Sequence, residues 1–298
     1  MDGILLIDKA SGMTSHDVVA WARRRLGQRG IGHAGTLDPM ATGLLVLMVG
    51  KATRLASLLT GKDKTYDATI RLGFETDTDD ADGTPTVERA ADLPSDSRIQ
   101  EALETFMGTF PQMPPAHSAK KVGGTRAYEL ARQDKPVRLN PVEVTTREME
   151  WHGRQGDLVR LQVTVSAGFY VRALARDLGR RLGCGAHLAT LRRVRSGSFV
   201  IGAALGIEAA DALGPALADR LITPAAALPD LPAVELTPPG LTRVLHGNAV
   251  GPAHLHTGVP VPGSGIQAAG PVRILAEGRL VALGAWRAGA LHPIAVLG

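Results

Sequence analysis

The chain has 298 residues, 44% of them apolar, a formal net charge of +4 at pH 7 and one cysteine, Cys184. This length favours one large domain with a smaller one. A single cysteine excludes an intramolecular disulfide framework and a zinc site built from cysteines, which suits a reducing compartment. No apolar run approaches the roughly 20 residues that span a bilayer, and the first residues do not resemble a signal peptide. We therefore expect a soluble, cytoplasmic protein.

The first two hundred residues predict strands and helices without a regular strand–helix–strand repeat. GILLIDK predicts a short strand, and Thr14 with Asp17 predicts a capped helix that ends near Gly27. The apolar run GLLVLMVG at 43–50 predicts a buried strand. Further helices are predicted at KATRLASLLTG, DSRIQEALETFMG and YVRALARDLGRRLG, the last with a basic outer face, and further strands at KTYDATIRLG, EVTTREMEW and LVRLQVTVSA. This mixture predicts an α+β fold.

The composition changes near Thr223. The stretch TPAAALPDLPAVELTPPG has five prolines in eighteen residues, so it cannot continue a helix and predicts a linker or a wrapped connection. Beyond it, glycine and proline separate short apolar runs such as VRILA and LVALGAW, a pattern typical of a small β-barrel. The sequence therefore predicts two domains, 1–228 and 229–298.

Charge is distributed unevenly along the chain. Seven arginines lie between Phe169 and Arg195 against one acid, whereas ten acids lie between Glu75 and Glu104 against two arginines. This asymmetry predicts one face that attracts a polyanion and another that stays in water. The alternative is that each cluster is only a solvated helix face.

The stretch GIGHAGTLDP at 30–39 begins with G-x-G-x-x-G, the fingerprint of dinucleotide-binding proteins. Such a fingerprint follows a strand, opens a helix and is followed by an acid about 20 residues later. Here an arginine-rich helix precedes it, an apolar strand follows it, and no acid occurs from Pro39 to Lys62. The pattern therefore argues against an NAD-dependent enzyme. It leaves Asp38, which Pro39 restricts to an extended or turn backbone, and which an Asp-Pro turn alone would also explain.

Two other ligand motifs are incomplete. DTDDADG resembles a calcium loop, but Ala81 occupies a ligand position and Asp82 replaces the required glycine. His254 and His256 have no cysteine or clustered acid beside them, so they do not indicate a metal site. The residues therefore predict neither a metal nor a cofactor.

Four motifs are spread over most of the chain in a fixed order. They are HAGTLDPMATGLL with GILLIDK before it, KTYDATIRLGFETDTDDADG, PPAHSAKKVGGTRAYELAR and GFYVRALARDLGRRLGCGAHLATLRR. Together they resemble the bacterial TruB family of tRNA pseudouridine-55 synthases, and the C-terminal segment is similar to a PUA domain. The resemblance implies a mixed-sheet pseudouridine synthase domain at 1–228 and a PUA-like RNA-binding domain at 229–298. It also implies a monomer that acts on the T-arm stem-loop of tRNA without cofactor or metal.

The resemblance also assigns site residues. It implies that the nucleophile is Asp38, that His33 contacts the remodelled T loop, that Tyr66 and Tyr170 enclose the target uracil, that Arg172 pairs with Asp38, and that Leu191 lines the pocket. Four positions depart from the family's usual residues. The family usually has proline where this chain has Ala10, and tyrosine where it has His117. It commonly has lysine where this chain has Ala167, and threonine where it has Phe169.

The chemistry agrees with this resemblance. Conversion of uridine to pseudouridine breaks a C–N bond and forms a C–C bond without net redox change, so a carboxylate nucleophile suffices, at ribose C1′ or at uracil C6. The base must first leave its stack, which aromatic side chains favour. Arg172 and the basic helix behind it would keep Asp38 ionised and attract phosphates. The alternative is a non-catalytic RNA-binding or RNA-folding protein, which would not need Asp38.

Overall fold

A computed structural model describes residues 1–86, 88, 90–116, 121–122, 125–126, 139–256 and 270–298. His117, with most of its motif, lies outside the described residues. The helices are α1 (Ser15–Leu26), α2 (Ala56–Thr60), α3 (Asp96–Glu104), α4 (Val171–Leu182), α5 (Ile207–Ala212) and α6 (Pro238–Leu245). Within these ranges, none is long and apolar enough to cross a membrane.

The strands alternate with these helices without a βαβ repeat. They are β1 (Gly3–Lys9), β2 (Ile31–His33), β3 (Thr42–Val49), β4 (Lys64–Leu72), β5 (Gly108–Gln112), β6 (Lys121–Val122), β7 (Thr125–Arg126), β8 (Val142–Gln155), β9 (Leu158–Val165), β10 (Ala186–Ser196), β11 (Phe199–Val200), β12 (Leu205–Gly206), β13 (Ala233–Glu235), β14 (Val272–Ala276), β15 (Arg279–Arg287) and β16 (Ala290–Val296).

A large mixed sheet forms the centre of the molecule. Its strand order is β12-β1-β3-β10-β4-β9-β8-β5, with β2 added beside β3 and β11 beside β10. The pairs β1–β12 and β3–β10 are parallel, and the other neighbours are antiparallel. The prediction of a mixed-sheet α+β fold is confirmed.

The central strands are buried on both faces, which explains the unbroken apolar run at 43–50. Leu5 and Leu45 belong to a core cluster that includes residues of α1, α3 and α4. Ile4 and Leu44 face the opposite side, where they pack in a second cluster with residues of α2 and the 3-10 turn Gly50–Leu55. Helices therefore cover one face of β1 and β3, and a different set of elements covers the other.

The start of α1 follows from its sequence. Thr14 accepts a hydrogen bond from the Asp17 N–H at 3.1 Å, and Asp17 accepts one from the Thr14 N–H at 2.8 Å. This reciprocal pair satisfies two donors that the helix itself leaves open. Gly27 ends the helix in the left-handed conformation, with a φ of 59°. The predicted bounds of this helix are confirmed.

The C-terminal region forms a second sheet in the order β13-β14-β15-β16, with its own core cluster. The proline-rich stretch before it differs from the sequence prediction, because it opens α6 at Pro238. Proline is tolerated in the first turn of a helix, and Thr237 caps this one by accepting from the Gly240 N–H. Leu283 and Leu297 of this region join the second core cluster of the large sheet.

Candidate active site

A cavity of about 520 Å³ lies between the β2–β3 loop, β4, β10 and the start of α4. All six residues that the family resemblance singled out line it: His33, Asp38, Tyr66, Tyr170, Arg172 and Leu191. They come from distant parts of the sequence, and the large sheet brings them together. A cavity of this size suits a small organic group such as a nucleoside.

The loop that carries Asp38 is fixed by hydrogen bonds. The buried Ser15 hydroxyl accepts from the Leu37 N–H at 2.8 Å and lies 3.0 Å from the Leu37 carbonyl, to which it donates. The Ala41 N–H donates to the Asp38 carbonyl at 3.1 Å, which closes a turn at the Asp-Pro pair. This loop leads into β3 and not into a helix, so it lacks the context of a dinucleotide site.

Asp38 forms an ion pair with Arg172. The Arg172 Nε lies 3.0 Å from the Asp38 Oδ2, and the side chains are 5% and 36% exposed respectively. Burial has the largest effect on the pKa of Asp38 and raises it. The charge of Arg172 lowers this pKa, and the charge of the nearby Asp80 raises it. The net result is a pKa above the ordinary value of 3.8. The guanidinium is therefore the contact that favours the charged form of a carboxylate in a poorly solvated place.

Arg172 lies between two carboxylates. Its Nη1 donates to the Thr78 carbonyl at 3.0 Å and lies 3.4 Å from the Asp80 Oδ2. Asp80 is itself held by Thr78, whose hydroxyl donates to its Oδ1 at 2.5 Å. The acidic loop after β4 thus fixes the guanidinium that contacts Asp38. Among the described residues, no group of three or more acids, histidines or cysteines is placed to hold a metal ion.

The pairing of acidic and basic segments corrects the prediction of two separate charged faces. Asp79 and Arg176 are both buried, and the Arg176 Nη1 lies 2.9 Å from the Asp79 Oδ2. Arg180 donates to both carboxylate oxygens of Glu75, at 2.8 and 2.9 Å. The basic outer face predicted for α4 is therefore wrong at Arg172 and Arg176. A buried charge needs an opposite partner, and the loop after β4 supplies the acids.

Two tyrosines form aromatic walls of the cavity. Tyr66 lies on β4 and is 9% exposed, and Tyr170 is the residue directly before α4. Gln112, which sequence reasoning missed, holds the Tyr170 backbone at two points. The Tyr170 N–H donates to Gln112 Oε1 at 2.9 Å, and Gln112 Nε2 donates to the Tyr170 carbonyl at 3.1 Å. The Gln112 side chain therefore makes the two backbone hydrogen bonds that a neighbouring strand would otherwise make with Tyr170.

Three of the four departures from the family pattern lie in the described residues, and each has identifiable neighbours. Phe169 packs edge-to-face with Phe110, with 6.1 Å between ring centroids, and belongs to the main core cluster. Ala167 lines the cavity. The Ala10 carbonyl accepts a hydrogen bond from the buried Lys9 at 2.9 Å.

Further residues at the cavity were not predicted. His16 lies beside His33, with 5.6 Å between ring centroids and the rings nearly perpendicular, and both line the cavity. Lys64 and Arg193 line it as buried cations. Their signal in the sequence is a basic residue in an otherwise strand-forming segment, and this pattern alone does not distinguish a buried residue from an exposed one.

Comparison with known proteins decides the family. A profile described as "TruB family pseudouridylate synthase (N terminal domain)" matches residues 23–171, and one described as "tRNA pseudouridylate synthase B C-terminal domain" matches residues 172–213. The chain belongs to the TruB family of pseudouridylate synthases. The resemblance found in the sequence is confirmed, and with it the prediction that the protein is an enzyme.

Relatives extend this similarity to nearly the whole chain. A protein named tRNA pseudouridine synthase B from Thermobifida fusca (strain YX) is 42% identical over 306 residues, covering 99% of this chain and 98% of that one. Its namesake from Dechloromonas aromatica (strain RCB) is 42% identical over 285 residues, covering 95% and 91% respectively.

Two solved structures share the fold. One is titled a Cbf5-Nop10-Gar1 complex, with 28% identity and a TM-score of 0.73. The other is titled an H/ACA RNP bound to a substrate RNA containing 2'-deoxyuridine, with 25% identity and a TM-score of 0.72. Each match covers 99% of this chain and 85% of the other. The TruB-type architecture therefore includes the C-terminal sheet.

Proposed function

We propose that this TruB family enzyme isomerises uridine to pseudouridine at position 55, in the T loop of tRNA. The proposal draws the substrate from the relatives named tRNA pseudouridine synthase B. The observation that carries it is the placement of Asp38, ion-paired with Arg172 at 3.0 Å, in a cavity between two tyrosines. This arrangement combines a nucleophile with a place for a flat base.

In this proposal the Asp38 carboxylate is the nucleophile. Contact with the Arg172 guanidinium favours its ionised form, and a fixed loop keeps its oxygens at the cavity. Attack at ribose C1′ breaks the C1′–N1 bond with uracil as the leaving group, whereas attack at uracil C6 forms an adduct to the base, whose C1′–N1 bond then breaks. In either route the base turns and C5 bonds to C1′. The carboxylate is then released, C5 loses its proton and N1 gains one.

The target uridine leaves its stack to reach the carboxylate. Tyr66, Tyr170 and Leu191 enclose the uracil, which offsets part of the cost of unstacking. His33, at the same cavity beside the exposed His16, contacts the rearranged T loop. The chemistry needs no electron transfer and no phosphoryl transfer, so these side chains supply the groups that the reaction requires.

The second part of the proposal concerns the C-terminal region. Residues 229–298 form a PUA-like RNA-binding domain that adds contacts on the acceptor-stem side of tRNA, while 1–228 carry the nucleophile and the uridine pocket. The separate sheet β13–β16 supports this division. One chain contributes all six proposed site residues, so the proposed site needs no second subunit.

The decisive experiment is Asp38→Asn, tested on an unmodified tRNA transcript with mapping of pseudouridine. Asparagine keeps the side-chain shape but cannot act as the nucleophile, so we expect no pseudouridine while tRNA binding survives. Asp67→Asn is the matched control, because Asp67 lies on β4 outside the cavity and accepts a hydrogen bond from Gln162.

Three results would contradict all or part of the proposal. Substantial turnover by Asp38→Asn would show that another residue is the nucleophile. Tight tRNA binding by the wild-type protein without pseudouridine would instead support a non-catalytic RNA-binding protein. Pseudouridine at a position other than 55 would reject the T-loop assignment alone.

A further inference from the structure

Two cationic side chains converge on the cavity wall beside the Asp38 loop. Lys64 on β4 and Arg193 on β10 are 6% and 1% exposed, and both line the cavity. Gly35 marks where they meet: a Cβ atom on this glycine would lie 3.5 Å from Arg193 Nη1 and 3.7 Å from Lys64 Cε. Gly35 is three residues before Asp38, so the cations and the carboxylate share one loop.

Among the described residues, the hydrogen-bond partners of the Arg193 side chain are backbone carbonyls. Its Nε donates to the Leu44 carbonyl at 2.7 Å, and its Nη2 donates to the Gly35 carbonyl at 3.0 Å. Across the described residues it forms no ion pair with a carboxylate. Its position on β10 is also fixed, because β3 approaches so closely that a Cβ on Gly43 would lie 2.3 Å from the Arg193 carbonyl.

Lys64 has the same kind of partners. Its Nζ donates to the carbonyls of Thr60 and Lys62, the latter at 2.6 Å. Asp63 is the acid whose charge raises the pKa of Lys64. Its carboxylate is already paired with Arg147, with 3.3 Å between the Arg147 Nε and the Asp63 Oδ2. Burial, and next the charge of Arg193, lower the pKa of Lys64 to about 8. At neutral pH the wall therefore holds two adjacent positive charges.

Two buried arginines elsewhere among the described residues are paired with acids, whereas the buried Lys9 is bonded, like Lys64, to backbone carbonyls. Arg172 contacts Asp38 and Asp80, and Arg176 contacts Asp79. A buried charge without an opposite partner is costly, and two such charges side by side also repel each other. Lys64 and Arg193 lack an acidic partner within the described ranges, although they line the cavity that receives the substrate. An anion brought by that substrate would supply the missing charge.

We infer that Lys64 and Arg193 bind a backbone phosphate of the RNA next to the target uridine. This inference rests on the proposed function, in which an extruded uridine enters the cavity. Uracil itself carries no charge, but an extruded nucleotide stays attached to a phosphate on each side. Because Arg193 also holds the Gly35 carbonyl, a phosphate bound there is positioned relative to Asp38.

The test uses the full-length protein with Asp38→Asn, so that bound RNA stays unreacted. The variant is Lys64→Met, which keeps the length of the side chain and removes the charge. The matched control is Lys62→Met, because Lys62 is 38% exposed, lies 3.8 Å from Asp230 and does not line the cavity. The probe is a T-arm stem-loop RNA in which one linkage beside the target uridine is an uncharged methylphosphonate.

We expect Lys64→Met to bind the unsubstituted RNA roughly tenfold or more weakly, whereas Lys62→Met stays near the parent affinity. The methylphosphonate at one of the two flanking linkages should weaken binding by the parent protein by a similar factor. It should weaken binding by Lys64→Met much less, because the contact is already lost. Equal sensitivity of the parent and Lys64→Met at both linkages would overturn the inference.

Thermal unfolding separates this role from a structural one. Removal of the buried charge favours the folded state, whereas loss of its hydrogen bonds to the Thr60 and Lys62 carbonyls opposes it, so the Tm of Lys64→Met should change little. A lower Tm with normal RNA affinity would show that Lys64 serves the fold, and would also overturn the inference. Turnover by the protein with Asp38 intact is measured separately. Pseudouridine formation without a Lys64 effect rejects only the phosphate site, whereas a Lys64 effect without pseudouridine rejects the proposed reaction.

Discussion

At Asp38, partial burial of the carboxyl opposes the charge that the proposed reaction needs. The pKa of this carboxyl is raised above 3.8 by burial and by Asp80, against the opposing effect of Arg172. Only the ionised carboxylate is a nucleophile, so kcat should fall as the pH is lowered through this raised pKa. The loss should begin at a higher pH than for an exposed aspartate. Single-turnover rates between pH 4 and 8 measure it, and a rate that is constant over this range would contradict it.

The sign of the effect on stability is opposite to that of a stabilising salt bridge. The folded protein holds the Asp38 proton more tightly than the unfolded chain does, so ionisation lowers stability as the pH rises through the raised pKa. Asp38→Asn should therefore keep or raise the Tm at pH 7. If Asp38 only shaped an Asp-Pro turn, its loss would lower stability by about 1 kcal/mol, the scale of a lost cap.

At the scale of elements, Gln112 at the end of β5 fixes the backbone of Tyr170, the residue directly before α4. Gln112 is 1% exposed and satisfies both backbone groups of Tyr170. Gln112→Leu removes both of these hydrogen bonds, although the Tyr170 carbonyl still accepts one from the Leu174 N–H at 3.2 Å, so it should lower stability by about 1–3 kcal/mol. It should also lower kcat, because Tyr170 is no longer held against the cavity.

A double-mutant cycle with Tyr170→Ala tests this link. If Gln112 acts through Tyr170, Gln112→Leu should reduce kcat much less in the Tyr170→Ala background than alone. Gln112→Glu is the conservative control, because it keeps an acceptor for the Tyr170 N–H. Independent, additive effects on kcat would show that the two residues act separately.

Whether the sequence predicts a structural feature depends on how far apart along the chain the residues that form it lie. The cap of α1 lies within four residues, and the burial of β3 follows from its apolar run, so both are visible locally. The partners Asp79 and Arg176 are 97 positions apart, and only the folded sheet shows that they meet. The six residues proposed for the site could be singled out because their motifs are short and family-specific, and all six line one cavity. Gln112, like the buried cations, was missed because a polar residue in a strand gives no local sign of burial.

At the scale of the whole molecule, fewer arginines are available to RNA than the sequence suggests. Several are bound to acids, whereas exposed ones such as Arg24, Arg29, Arg181 and Arg195 form no ion pair within the described part of the chain. Affinity for tRNA should still fall as salt rises, because each phosphate contact releases a counterion. A flat plot of log affinity against log salt concentration would contradict a basic RNA-binding face.

Single substitutions refine this prediction. Replacement of an exposed arginine that contacts a phosphate should reduce the salt slope by about 1. Arg180→Ala is the control, because this arginine is already neutralised by Glu75. Equal changes in slope for Arg180→Ala and Arg181→Ala would show that pairing does not decide which arginines bind RNA.

The core that Leu283 and Leu297 share with Ile4 and Leu44 joins the two sheets into one cooperative unit. Removal of residues 229–298 would expose this apolar surface and destabilise the rest of the protein. A truncated protein that failed to modify RNA would therefore reveal nothing about RNA contacts. On heating, the C-terminal sheet should not melt first as an independent module. Calorimetry should record a single transition, and Leu283→Ala should move all of it to a lower temperature. If the C-terminal sheet binds RNA as proposed, this shared core would hold that contact at a constant distance from Asp38.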